Sequence, residues 1–169
     1  MKTTLEISKY HVRLAAKEDE PFLFEMLFQS LFIEEGQEPY SREVLSKPNI
    51  ARYVKDWGRT GDLGFIAEMT DSGEKLGATW CRLAHGEDRS FAYLDDKTPE
   101  LGIAILPEYR GKGIGTKLLE NLLTAARKKY PAISLSVSPN NPAIRLYKKF
   151  GFETVDVRNE YPVMRLIFD

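Results

Sequence analysis

Between Leu101 and Thr116 the chain reads Leu-Gly-Ile-Ala-Ile-Leu-Pro-Glu-Tyr-Arg-Gly-Lys-Gly-Ile-Gly-Thr, and this stretch limits the fold more than any other. Glu100 to Leu106 has the apolar character of a strand. Glycine then stands at positions 111, 113 and 115. A long amphipathic helix follows at once, its apolar stripe carried by Ile114, Leu118, Leu119, Leu122, Leu123 and Ala126. Glycine lets main-chain N–H groups approach a ligand closely and adopt positive φ. The start of a helix adds N–H groups with no partner in the chain and a partial positive charge. Arg110, Lys112 and Lys117 add full charges. Strand, turn and helix together describe a cradle for a pyrophosphate.

Two common phosphate ligands fail to fit. A nucleoside-triphosphate loop needs GxxxxGK[ST], but Thr116 separates Gly115 from Lys117. A dinucleotide fingerprint needs GxGxxG, and its third glycine would fall on Thr116. The first two thirds of the chain also lack repeated βαβ units.

The flanking sequence reads as one α/β domain over 1–169, without repeats or linkers. Tyr10 to Ala15 is predicted as a strand. A helix from Glu18 carries Pro21 in its first turn and the stripe Phe22, Leu23, Met26, Leu27 and Leu31. Glu34 to Lys47 reads as a polar loop with short helical pieces, and a second helix is expected over Ile50–Trp57. Strands follow at Leu63–Met69 and Leu76–Leu83, around the Asp71-Ser72-Gly73 turn. After a loop from His85 to Pro99 come the Glu100 strand, the glycine turn and the long helix, stopped by Pro131. Ala132–Val137 is a strand, and Asn141–Phe150 a helix closed by Gly151. Phe152–Val157 and Val163–Phe168 are strands joined around Asn159-Glu160.

Composition narrows the function. The chain of 169 residues has a net charge of −1, unlike the distinctly basic balance of a general nucleic-acid binder. The charge is uneven: 13 Lys and Arg against 19 Asp and Glu in residues 1–100, then 11 against 6 in the remainder. A basic half suits an anionic cofactor, and an acidic half suits a cation. One cysteine, Cys81, excludes an internal disulfide. Two histidines and one cysteine, well separated, give no metal-ligand spacing. No apolar run approaches the ~18 residues of a membrane span, and Met1 to Tyr10 lacks an apolar signal core. A cytoplasmic protein without membrane or nucleic-acid partners is the expectation. Trp57 and Trp80 read as packing residues, with Trp80 also a candidate for lining an acceptor pocket.

Arg110-Gly-Lys-Gly113-Ile-Gly115 is similar to the Q/R-x-x-G-x-G/A motif of the GNAT (Gcn5-related) N-acetyltransferases. Downstream, Asn140-Asn141-Pro-Ala143-Ile-Arg-Leu146-Tyr147-Lys-Lys-Phe150-Gly151-Phe152 resembles that family's second signature, N-x-x-A-x-x-L-Y-x-x-x-G-F. The resemblance covers residues 100–153 and agrees with the element order of the whole chain. It implies a mixed sheet of about seven strands with about four helices, and a splayed parallel strand pair holding acetyl-CoA. By the same resemblance, the backbone of Ile103, Ala104 and Ile105 would bind the pantetheine arm. The amides of Arg110, Gly111, Lys112, Gly113, Ile114, Gly115 and Thr116 would hold the pyrophosphate, and Asn140 or Asn141 would meet the arm. An N–H near Ile105 would stabilise the oxyanion.

The implied reaction is direct acetylation of a primary amine, probed by two candidate groups. An alkyl ammonium (pKa near 10.4) must lose a proton before it attacks. Glu100 is the candidate base, directly or through a water, with a surface carboxylate capping a strand edge as its competing reading. Tyr147 is the candidate acid for the departing thiolate, with a core role as its competing reading. The acidic run Glu34, Glu35, Glu38 would border the acceptor and favour a cationic amine. Family members are often dimers, so a homodimer is among the implied states. A non-catalytic acyl-CoA sensor on the same fold and a nucleotide-binding regulatory domain are the competing functions.

Overall fold

The computed structural model describes residues 9–169, so the reading of Met1 to Ser8 as lacking a signal core lies outside the described residues. Its elements are β1 (Tyr10–Leu14), α1 (Glu20–Ser30), α2 (Pro48–Ala51), β2 (Leu63–Met69), β3 (Lys75–Arg82), β4 (Glu100–Ile105), α3 (Ile114–Ala126), β5 (Ala132–Ser136), α4 (Ile144–Lys149), β6 (Glu153–Arg158) and β7 (Tyr161–Ile167). The strands form one mixed sheet in the order β1-β2-β3-β4-β5-β7-β6. Every neighbouring pair is antiparallel except β4 and β5. Among the described residues no helix is long and apolar enough to cross a membrane.

Each face of the sheet is covered by a helix whose apolar stripe matches the helical period. On one face Leu23, Met26 and Leu27 of α1 pack on Ile66, Ala78, Trp80 and Ala104. On the other, Leu119, Leu122 and Leu123 of α3 pack on Leu101, Ile133 and Leu135, while Ile114 and Leu118 meet Ala67 and Leu76. Five of those α3 residues are large aliphatics, each stabilising by about 1.5–3 kcal/mol when fully buried. That anchorage fixes where the helix begins, and so where the glycine turn sits.

Most boundaries fall within one or two residues of the sequence expectation, and three differences have a visible cause. The second helix is confined to Pro48–Ala51 instead of Ile50–Trp57. Arg82 is the physical reason: its guanidinium is buried, pairs with Asp62, and donates to the carbonyls of Arg52 (2.9 Å) and Lys55 (2.7 Å). Those carbonyls therefore serve the arginine, and Asp56 turns the chain with φ 58°. The last hairpin is tighter than expected. Asn159 (φ 49°) and Glu160 (φ 69°) form a two-residue turn, which carries pairing up to Arg158 and Tyr161. Helix α4 starts at Ile144 because Asn141 Oδ1 accepts from the Ala143 N–H (3.0 Å) and holds residues 141–143 in a turn.

Gly102 on β4 is required by the protein's own packing. A Cβ there would lie 2.6 Å from Cζ2 of Trp80, which is 1% exposed. Trp80 is thus a packing residue against α1. Gly102→Ala is expected to cost about 1–3 kcal/mol in chemical denaturation by displacing the indole.

Candidate functional site

The parallel pair β4 and β5 is bridged at one point, Glu100 opposite Ser134, where Ser134 N–H donates to Pro99 O at 2.9 Å. Beyond that bridge the strands separate. Main-chain direction alternates along a strand. Leu106 N–H donates to Leu76 O on β3, so Ala104 and Gly102 face the same way. Ile103 and Ile105 consequently turn their N–H and C=O groups toward the gap. Of the three residues expected there, Ala104 differs: its main chain faces its partner Ala78. Ile105 O accepts from Arg110 Nε at 2.9 Å, which draws that cation back across the mouth of the gap.

The gap opens toward the glycine turn. Gly111 (φ +74°) and Gly113 (φ +84°) are left-handed, and a Cβ at either would meet nothing within 4 Å. Alternating backbone signs of this kind curl successive N–H groups into an anion-binding concavity. Gly113 is also the N-cap of α3, and no side chain caps the helix there. Gly115 has no positive φ, and a Cβ there would touch only Ile105 and Ile103 at 3.9 and 4.0 Å, ordinary contact distances. Neither conformation nor internal crowding calls for glycine at 115, in keeping with a motif that admits alanine there. The left-handed pair and the helix start give the concavity that a pyrophosphate requires. Arg110, Lys112 and Lys117 are exposed around it, and Thr116 is half-buried behind Gly115.

The two asparagines differ. Asn141 holds the turn ahead of α4 as described above. Asn140 Nδ2 donates to Glu34 Oε2 at 2.9 Å. Tyr147 on α4 is 8% exposed, edge-on to Phe152 (6.0 Å between centroids), and its hydroxyl has no hydrogen bond to another described residue. Burial pushes its phenol up to about 12. It therefore carries its proton throughout the neutral range, and it is a core residue as well.

Glu100 is 6% exposed, so it is no surface cap of a strand edge. Its Oε2 is buried with no hydrogen-bond partner among the described residues. Burial pushes the carboxyl up to about 7, against opposing help from the Ser90 hydroxyl, the Ala92 N–H, Tyr53 and the charge of Arg52. Tyr53 in turn accepts from the Phe91 N–H (3.2 Å), and Ser134 Oγ donates to Ala92 O (2.9 Å). These neighbours come from the segment after α2 and from the loop 83–99, and no sequence spacing ties them to Glu100. Glu100 shares its face of β4 with Gly102 and Ala104, the α1 side, whereas Tyr147 packs with Leu101 and Leu119 on the α3 side. The two groups lie on opposite faces of the sheet, and the gap is the passage between them.

A rim of aromatic and acidic residues stands on one side. Phe91 and Tyr161 meet edge-on at 6.2 Å. Arg158 ties the last hairpin to the loop by donating to Phe91 O and Tyr93 O. Partial burial raises the Tyr161 phenol, and the charges of Glu34 and Tyr40 raise it further. Among the described residues no group of three His, Cys, Asp or Glu could hold a metal.

The chain is 34% identical over 113 residues to the probable N-acetyltransferase san of Drosophila melanogaster, covering 65% of this chain and 57% of that protein. It is 32% identical over 113 residues to N-alpha-acetyltransferase 50 of Danio rerio, covering 65% and 62%. The match therefore spans about three fifths of the length of these relatives. Among solved structures, the fold is shared with the GNAT domain of S. lividans PAT (TM-score 0.67, 18% identity, 94% of this chain and 90% of that one). It is shared also with yncA from Salmonella typhimurium, solved with its cofactor acetyl-CoA (TM-score 0.66, 23% identity, 96% and 95%). The family described as Acetyltransferase (GNAT) family matches residues 24–152, well over half of the sequence. With its splayed β4–β5 pair and glycine turn, this chain belongs to the GNAT acetyltransferase family.

Proposed function

We propose that the protein transfers an acetyl group from acetyl-CoA to a primary amine. One observation carries this reading: a buried carboxylate with a pKa near neutrality stands at the apex of a strand gap that opens onto an anion-binding turn. The amides of residues 110–116 would hold the diphosphate, and the gap-facing groups of Ile103 and Ile105 would hold the pantetheine arm as an added strand does. Acetyl-CoA supplies an activated acyl thioester. Glu100 takes the proton of the incoming ammonium, the amine nitrogen bonds to the acyl carbon as the C–S bond breaks, Tyr147 protonates the departing sulfur, and the second proton shed by nitrogen restores the phenol. Both groups start in the required state near pH 7.5: the carboxyl mostly ionised, the phenol protonated.

The acceptor favoured by this site is a cationic α-amine at a peptide N-terminus. The rim of Phe91, Tyr161, Tyr40 and Glu34 offers aromatic faces and a negative charge to an ammonium. Proton affinity points the same way. An α-amine, with pKa near 7.8, gives its proton to a base of pKa about 7 at a cost of about 1 kcal/mol, whereas an alkyl amine of pKa near 10.4 costs roughly 4–5 kcal/mol. The names of the curated relatives, N-alpha-acetyltransferases among them, agree with that choice. A cytoplasmic setting suits a single buried cysteine whose thiol burial pushes up to about 12, leaving it inert.

The test is release of free CoA thiol from acetyl-CoA with a peptide N-terminal amine beside spermidine. The peptide should turn over faster at pH 7.5. Tight acetyl-CoA binding without thiol release from either amine would instead mark a sensor. Tyr147→Phe should lower kcat by about 10- to 100-fold while leaving the acetyl-CoA Kd within about twofold. Full turnover would remove Tyr147 from the chemistry.

A further inference from the structure

Glu34 lies in the segment that follows α1, yet its carboxylate bonds to the loop that follows β5, more than 100 residues away. Oε1 accepts from the Ser138 hydroxyl, and Oε2 accepts from Asn140 Nδ2 at 2.9 Å. Ser138 Oγ accepts from the Asn140 N–H at 3.2 Å, closing a three-residue ring. Ser138 is 3% exposed, whereas Asn140 is exposed and Glu34 half-buried, so the ring is anchored on the core at Ser138 and open at Asn140.

The chemistry of a carboxylate makes this arrangement directional. An ionised carboxylate only accepts, so Asn140 must turn its NH₂ toward Glu34. Its Oδ1 is then fixed on the other side, and that oxygen has no hydrogen bond to another described residue. Asn141 has already committed its own Oδ1 to the Ala143 N–H. Of the two candidate asparagines, Asn140 is the one left with a side-chain acceptor for an amide N–H. The charge of the same Glu34 is felt by Tyr161 in the acceptor rim.

We propose that Glu34 is a positioning residue that orients Asn140 to accept an amide N–H of the pantetheine arm and thereby couples the cofactor site to the acceptor rim. This rests on the acetyl-CoA reading above. Occupancy of Asn140 steadies Glu34, and with it the segment that borders the amine, so acetyl-CoA and acceptor bind with positive coupling.

Calorimetry with acetyl-CoA and steady-state kinetics test this on the full chain, its Glu34→Ala and Glu34→Gln variants, Asn140→Ala, and the Glu34→Ala/Asn140→Ala double variant. Glu34→Ala should raise the Kd for acetyl-CoA about 3- to 10-fold, the worth of one neutral hydrogen bond. The acceptor KM at saturating acetyl-CoA should rise too, with the thermal midpoint nearly unchanged. Glu34→Gln can present its oxygen or its NH₂ to Asn140, so it permits the orientation without imposing it and should lose less, up to about threefold. The double variant should be no weaker than Asn140→Ala. Wild-type affinity in Glu34→Ala, or single losses that multiply in the double variant, would overturn the proposal. Absence of acetyl-CoA binding in the unsubstituted protein would remove the underlying reading, and this proposal with it.

Discussion

Glu100→Gln is expected to yield a more stable and nearly inactive protein. The sign follows from proton linkage. The carboxyl titrates at about 7 in the folded state, against a reference of 4.5. Between those pH values the folded chain holds the proton and the unfolded chain does not. Stability contributed by this group is thus fully present at low pH, declines as pH rises from about 4.5 to about 7, and stays low above. Glutamine stays neutral throughout, so the variant should gain up to about 3 kcal/mol at pH 8, a rise of roughly 5–10 °C in thermal midpoint. The gain should vanish near pH 4.5. Loss of the base should lower kcat by about 100-fold or more. In the wild-type protein kcat/KM should climb with pH through about 7. A gain over the wild type no larger at pH 8 than at pH 4.5 would mean that Glu100 is not the neutral-range titrating group.

Gly113→Ala should damage the turn and the cofactor site together. Gly113 is left-handed (φ +84°), and a Cβ there would meet nothing within 4 Å. Alanine is therefore opposed by conformation alone, at a cost of about 1–2 kcal/mol. Relieving that strain turns away the N–H groups at the start of α3, and acetyl-CoA affinity should fall by about 10-fold or more through lost amide contacts. Gly115→Ala is the control: its methyl would sit at ordinary contact distance from Ile105 and Ile103, and the motif admits alanine there, so affinity should stay within about threefold. Gly102→Ala should instead lose stability through Trp80. A Gly113→Ala variant with undiminished affinity would show that the turn does not touch the cofactor.

What could be read from the sequence depended on range. The glycine turn is a local signal: three glycines, their cations and the stripe of α3 all lie within a few helical turns, and each is set by backbone conformation or by one face of one helix. The β4 and β5 strands were legible for the same reason. Helix α2 was not, because its end is dictated by Arg82, a residue some 30 positions away whose guanidinium takes the Arg52 and Lys55 carbonyls. Glu100 could be chosen from its place at the head of β4, but its surroundings could not. Tyr53, Ser90 and Ala92 reach it from separate segments, and burial by those segments is what moves its pKa. The Glu34–Asn140 bond spans 106 residues and had no sequence signature beyond an acidic run.

Backbone amide chemical shifts of the labelled protein, followed while acetyl-CoA and then S-acetyl-pantetheine are titrated in, test the central claim most directly. The account predicts that acetyl-CoA produces its largest amide shifts at Gly111, Lys112, Gly113, Ile114 and Gly115, and that S-acetyl-pantetheine, which lacks the diphosphate, moves Ile103 and Ile105 while leaving that turn unmoved. Saturating acetyl-CoA with the turn's amides unshifted, or equal shifts there from both compounds, would contradict it.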